Sequence, residues 1–286
     1  MFNILKLIKP QSLKYFFLLR DINQILGKNN MPYPKGFLES RAVIKPGIFT
    51  IIPPEGRVIN SIPGFEGCKL TIIASPKHGA SFVQYVGSVE AGGKTIVPFV
   101  EAPGVETFLF VMDGDGELQV RVGDKTENLK TGGYAFAPPD TGIEFENTSS
   151  ESVRVLLYKQ RYVPLGDLKP WTVFGDINNI EENIYDDMDN VLLRDLLPND
   201  LEFDMNMHTL KFMPDGCHPF VETHVQEHGA YLLGGQGLYL LGEEWLSVQK
   251  EDFIWFGPFT QQAAYTTGRE PLWYIYSKDM NRDADI

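Results

Sequence analysis

Short apolar segments alternate with turn signals along the chain from about Arg41 onward. Ile51-Ile-Pro-Pro, Ile62-Pro-Gly, Ala91-Gly-Gly, Asp113-Gly-Asp-Gly, Thr131-Gly-Gly and Pro138-Pro-Asp-Thr-Gly punctuate runs too short for helices. Strands at this spacing predict an all-β sandwich or barrel. A second such series runs from about Trp171 to the end, and Tyr162-Val-Pro-Leu-Gly-Asp-Leu-Lys-Pro connects the two. Residues 186–200 break the pattern and are expected to form one short helix or a turn-rich insertion.

The two series repeat one another. With Gly114-Asp-Gly laid on Gly235-Gln-Gly, Glu106-Thr-Phe-Leu-Phe-Val-Met falls on Glu227-His-Gly-Ala-Tyr-Leu-Leu, an apolar strand entering a Gly-x-Gly turn in both. Further on, Gly133-Tyr-Ala-Phe-Ala-Pro-Pro corresponds to Asp252-Phe-Ile-Trp-Phe-Gly-Pro. We expect an amino-terminal extension over residues 1–40, a first β-domain over 41–165 and a second over 166–286.

The chemistry concentrates in the second copy, where Glu222-Thr-His224-Val-Gln-Glu-His228 holds a carboxylate and two imidazoles in seven residues. On a strand Glu222 and His224 project from one face, and His228 keeps that parity or begins the next strand. On a helix 222 and 224 would point to nearly opposite sides, so strand–turn–strand is the expected setting. Imidazole and carboxylate without thiolate suit a labile or catalytic divalent ion (manganese, iron, nickel or zinc) rather than a closed structural zinc centre. In the repeat register Glu222, His224 and His228 face Glu101, Pro103 and Thr107, so only the second copy should bind metal. Asp204-Met-Asn-Met-His208 reads as a strand whose methionines fill the core, which leaves His208 out of the ligand set. Trp245, Trp255 and Trp273 are expected in the core or cavity wall.

The chain of 286 residues carries a net charge of −13 with a pI near 4.8, which argues against nucleic-acid or anionic-membrane binding. Two cysteines, Cys68 and Cys217, make no disulfide framework and point to reduced thiols in the cytoplasm. No apolar run approaches the roughly 20 residues that cross a bilayer. Lys6, Lys9, Lys14, Arg20 and Lys28 against Asp21 suggest an amphipathic helical extension rather than a secretory signal.

Two ligands one residue apart, a third close behind, then Gly-x-Gly and a later strand pair resemble the cupin pattern, here doubled into a bicupin. Cupins usually present His-x-His, then Glu, then a later His. This chain has Glu222 first, His228 where Glu is usual, and no His in Pro258-Phe-Thr-Gln-Gln-Ala-Ala-Tyr. That departure resembles the (S)-ureidoglycine aminohydrolases of purine and allantoin breakdown. Phe203-Asp-Met-Asn-Met-His, His224-Val-Gln-Glu-His-Gly-Ala-Tyr, Tyr276-Ser-Lys-Asp-Met-Asn-Arg and Arg161-Tyr-Val-Pro also carry the resemblance.

The resemblance implies two tandem cupin barrels, with one Mn2+ per chain in the second, held by Glu222, His224, His228 and Gln262. It selects Gln262 over Gln261, which spacing does not, and it sets Gln262 against Ile143 of the first copy. It also implies that Tyr274 and Lys278 contact the substrate and join Glu222 and Gln262 in the catalytic and substrate-binding set. Strand parity agrees, since 272, 274, 276 and 278 share one face. The implied reaction is metal-dependent loss of ammonia from (S)-ureidoglycine to give (S)-ureidoglycolate. A non-catalytic metal-dependent binding cupin, a dioxygenase and a sugar isomerase share the fold and stay open. A homo-oligomer is expected from the ligand-free copy and exposed strands.

Overall fold

The computed structural model describes residues 40–100, 102–279 and 282–284, and the expected amino-terminal helix lies outside them. Strands β1 (Val43–Lys45), β2 (Phe49–Ile52), β3 (Phe65–Ala74), β4 (Val83–Thr95), β5 (Val105–Asp113), β6 (Leu118–Val122), β7 (Lys125–Leu129), β8 (Gly133–Ala137), β9 (Glu144–Asn147) and β10 (Val153–Arg161) make up the first half. The second holds β11 (Val173–Asp176), β12 (Asn183–Tyr185), β13 (Met188–Asp195), β14 (Asn206–Phe212), β15 (His228–Gly234), β16 (Gln236–Leu241), β17 (Glu244–Gln249), β18 (Phe253–Phe256), β19 (Gln262–Thr266) and β20 (Leu272–Lys278). The all-β expectation holds, and no helix among the described residues is long and apolar enough to cross a membrane. Cys68 and Cys217 are both free thiols.

The repeat is visible in the strand pairing. Leu109 pairs with Ala135 in the first half as Ala230 pairs with Ile254 in the second, and Phe110 with Tyr134 as Tyr231 with Phe253. Alternate residues of these strands serve different cores. Leu109, Val111, Ala135 and Ala137 fill the first barrel, and Ala230, Leu232, Ile254 and Phe256 fill the second. Between them, Phe108, Phe110, Phe136, Tyr231, Phe253 and Trp255 meet in one shared core. A strand buried on both faces needs an unbroken apolar run, which explains the sequences of β5 and β15. Both turn glycines are also required: Gly235 has φ +74 and a Cβ there would stand 2.2 Å from the Pro271 carbonyl, while Gly114 has φ +121 with Ser152 O 2.8 Å away.

Each half also lends a strand to the other. β2 pairs with β18, so β1 and β2 complete the sheet of the second barrel, while β11 pairs with β8 on the first. These pairings cross the division expected at residue 165. Arg41 fixes the first exchange, its two terminal nitrogens donating to the two oxygens of fully buried Asp252 at 2.8 Å each.

The segment 186–200 is a correction. Met188–Asp195 form β13 rather than a helix, joined to β12 by a two-residue turn in which Asp186 and Asp187 both take positive φ, 50° and 58°. That is the primed turn whose twist suits a hairpin, usually signalled by Asn-Gly or Asp-Gly.

Candidate metal centre

Strands β13, β14, β20 and β15 form one wall of a cavity of about 340 Å³ in the second barrel, and β16 and β19 contribute to another. Glu222, His224, His228, Gln262, Tyr274 and Lys278 all line it, so every site residue expected from the sequence arrives at one place. The local setting differs from the expected strand–turn–strand. Only His228 opens a strand; residues 223–227 are irregular, and Glu222 makes a single bridge to Gln262. That bridge carries two backbone bonds, Glu222 N–H to Gln262 O at 2.8 Å and Gln262 N–H to Glu222 O at 2.9 Å. Phe259 N–H then donates to His224 O at 2.7 Å, and the Thr223 hydroxyl to Phe259 O at 2.9 Å. The loop is thereby laid along the entry to β19.

The two imidazoles are oriented from behind. His224 Nδ1–H donates to the Gln226 carbonyl at 3.0 Å and His228 Nδ1–H to that of Ser277 at 2.7 Å. Each Nε2 is therefore unprotonated, the tautomer a metal ligand requires. Burial lowers the proton affinity of both rings, most strongly at His228. Glu222 is raised by burial, against a hydroxyl bond from Tyr185 to Oε1 at 3.0 Å. Gln262 Nε2 donates to Glu222 Oε2 at 3.2 Å and to His224 Nε2 at 2.9 Å, while its Oε1 accepts from Tyr239 Oη at 2.9 Å. Gln261 is solvent-exposed. Among the described residues no three His, Cys, Asp or Glu side chains are drawn together around a common point. The Gln262 amide stands between Glu222 and His224 instead, bonded to both.

The fit to a divalent ion is one of donor chemistry. Two unprotonated imidazole nitrogens, a partly buried carboxylate and an amide face one cavity, each held by a bond from outside the set. Turned end for end, the Gln262 amide would offer its oxygen where its NH2 now stands, and the Tyr239 hydroxyl can accept as well as donate.

Among the described residues the first barrel has no such set, for a visible reason. Its bridge equivalent to Glu222–Gln262 joins Phe99 to Ile143, so the structural counterpart of Glu222 is Phe99 rather than Glu101. Ile143 against Gln262 holds. At the positions of Tyr239, Tyr274 and Tyr276 the first barrel carries Val120, Val155 and Leu157, and all five residues are buried in its core.

Several cavity residues lie outside the site set expected from the sequence. Tyr185, Asp195, Asn199, His218, Tyr239 and Tyr276 all line it, as does His208, which was set aside. His218 accepts Ala264 N–H on Nδ1 at 2.8 Å, which leaves its proton on Nε2, 3.7 Å from Glu222 Oε2. Burial lowers His218 to about 4, so the ring is neutral. Only the i, i+4 spacing of 218 to 222 hinted at it. Trp255 is buried and Trp273 partly so, but Trp245 is 48% exposed on the outer face of β17, where it packs edge-on to Tyr265.

No family model matches the chain. It is 46% identical over 255 residues to the (S)-ureidoglycine aminohydrolase of Escherichia coli K12, covering 89% of this chain and 97% of that one. The (S)-ureidoglycine aminohydrolase of Arabidopsis thaliana is 29% identical over 234 residues, 82% of this chain and 76% of that one. Among solved structures, protein Ylba from E. coli superposes with a TM-score of 0.78 at 43% identity, over 89% of this chain and all 100% of that one. Oxalate decarboxylase from Bacillus subtilis, a protein with Mn(II) centres, shares the fold with a TM-score of 0.62 at 9% identity over 88% of this chain and 81% of that one.

Proposed function

Because the chain belongs to the (S)-ureidoglycine aminohydrolase family, we propose that it hydrolyses (S)-ureidoglycine to ammonia and (S)-ureidoglycolate at a manganese ion held by Glu222, His224, His228 and Gln262. In this reading residues 166–286 are the catalytic cupin and residues 41–165 a metal-free one. The observation that carries the site is the pair of imidazoles whose Nδ1–H groups are committed to backbone carbonyls, beside a carboxylate and an amide in one cavity.

A divalent ion in such a site supplies positive charge to chelate an amino-acid substrate and to acidify water. The protein's own groups do the rest. The Lys278 ammonium pairs with the substrate carboxylate. The Tyr274 hydroxyl, 3.4 Å from that of Tyr239, donates to the ureido carbonyl. Glu222, positioned by the Tyr185 hydroxyl, takes the proton of the attacking water. The C–N bond to the amine breaks, the C–O bond forms, and ammonia leaves with the proton gained.

Ammonia release from freshly made (S)-ureidoglycine by the full chain with Mn2+ tests this, alongside metal content. Glu222→Ala, His224→Ala and His228→Ala should each lose both. Full activity in any of them removes that residue from the set, and an inactive, metal-replete wild type would favour a binding cupin.

A further inference from the structure

The wall built by β13 and β14 carries a second polar cluster. Asp195 and His208 are cross-strand partners, and His208 in turn faces Tyr276 on β20, whose ring stacks on the imidazole at 5.1 Å. His208 is 6% exposed, and its Nδ1 lies 2.7 Å from Asp195 Oδ1. Its Nε2 has no hydrogen-bond partner. Asn199 beside them is tied down by Asn206, whose Nδ2 donates to Asn199 Oδ1 at 2.9 Å. A buried imidazole nitrogen left unsatisfied is unfavourable unless something completes it. On a cavity wall that something can be a ligand.

The kind of ligand group follows from the lone pairs. Asp195 is held below the usual carboxylate range, first by His208, so it is an ionised acceptor at neutral pH. With its Nδ1–H turned to Asp195, His208 offers its unpartnered Nε2 as one more acceptor. These two acceptors therefore suit a group rich in N–H, while Lys278, whose charge also reaches Asp195, attracts the carboxylate. Of the three polar ends of ureidoglycine, only the terminal carbamoyl group offers two N–H donors on one planar nitrogen.

We propose that Asp195 and His208 form the subsite for the terminal NH2 of the substrate's ureido group and select a ureido acid over other amino-acid derivatives. The proposal rests on the reading of the substrate given above. It makes Asp195 and His208 specificity residues.

Two stable analogues isolate the interaction. N-carbamoylglycine and N-acetylglycine share length and carboxylate and differ by NH2 against CH3. By calorimetry on the manganese-loaded full chain, wild type should prefer N-carbamoylglycine by roughly tenfold or more. Asp195→Leu and His208→Phe should bring that ratio close to one, with affinity for N-acetylglycine and metal content unchanged. Asp195→Asn, closest in shape, should lower the ratio in part and serves if the leucine variant does not fold. An unchanged ratio in the folded variants overturns the proposal, as does a wild type that releases ammonia from ureidoglycine yet binds both analogues alike. A wild type that binds neither analogue and releases no ammonia overturns the wider reading with it.

Discussion

Gln262→Ile gives the second barrel the residue that the first carries at the same bridge, Ile143. The amide of Gln262 makes three bonds, to Glu222, His224 and Tyr239, and the side chain is 4% exposed. At about 0.5–1.5 kcal/mol each, and with water from the cavity replacing some of them, the metal-free variant should lose about 1–3 kcal/mol. The larger effect is on linkage to the ion. At a hundredfold excess over its Kd a ligand adds about 2.7 kcal/mol of stability. For a body of this size that raises Tm by roughly 5–10 °C, at about 2–4 °C per kcal/mol. Thermal melts with and without Mn2+ should show that rise in wild type and almost none in Gln262→Ile at the same concentration. An equal rise in both proteins would refute the assignment of Gln262, whatever the activity of the variant.

Other consequences follow from single contacts. Lys278→Met should keep its metal and raise KM by roughly 10- to 100-fold, as expected for a lost charge-assisted bond of about 1.5–3 kcal/mol, and an unchanged KM would make the lysine a surface charge. Arg41→Ala leaves the fully buried Asp252 carboxylate with the Gln249 N–H as its remaining partner, and urea unfolding should show a loss of about 2 kcal/mol. A loss indistinguishable from zero would mean the pair does not hold the exchanged strand. Asp279 is raised to about 7, first by burial and then by Glu227. Since its folded-state value exceeds that of the unfolded chain, the native state binds the extra proton, and stability falls as pH rises from about 4 to about 7. Asp279→Asn should be more stable than wild type at pH 8, by at most a few kcal/mol, and should flatten that window. A variant no more stable at pH 8 would place the titration elsewhere.

Much of this was legible in the sequence because it rests on local periodicity. The doubled strand-and-turn series follows from Gly114 and Gly235, whose φ values no side chain tolerates well, and from apolar runs buried on both faces. Glu222, His224 and His228 lie within seven residues, so their convergence needed only one loop and one strand. Gln262, Tyr274 and Lys278 came through the family resemblance. What stayed hidden depends on pairing between distant strands. Tyr185 reaches Glu222 because two aspartates adopt a primed turn, and Asp-Asp is a weak signal for one. Val191-Leu-Leu-Arg-Asp-Leu-Leu suits a helix as readily as a strand, and the sheet decides. Asp195 and His208 meet only in the register of β13 on β14. The strand exchange of β2 and β11 leaves no mark on composition, and its clearest token, Arg41 on Asp252, spans 211 positions.

We propose that one ion sits in the second barrel and none in the first. Anomalous diffraction from crystals of the full chain grown with Mn2+ tests it without reference to turnover. We expect one peak per chain, within bonding distance of Glu222, His224, His228 and Gln262. A peak between Phe99 and Ile143, or a fully loaded crystal in which those four side chains surround no ion, would contradict it.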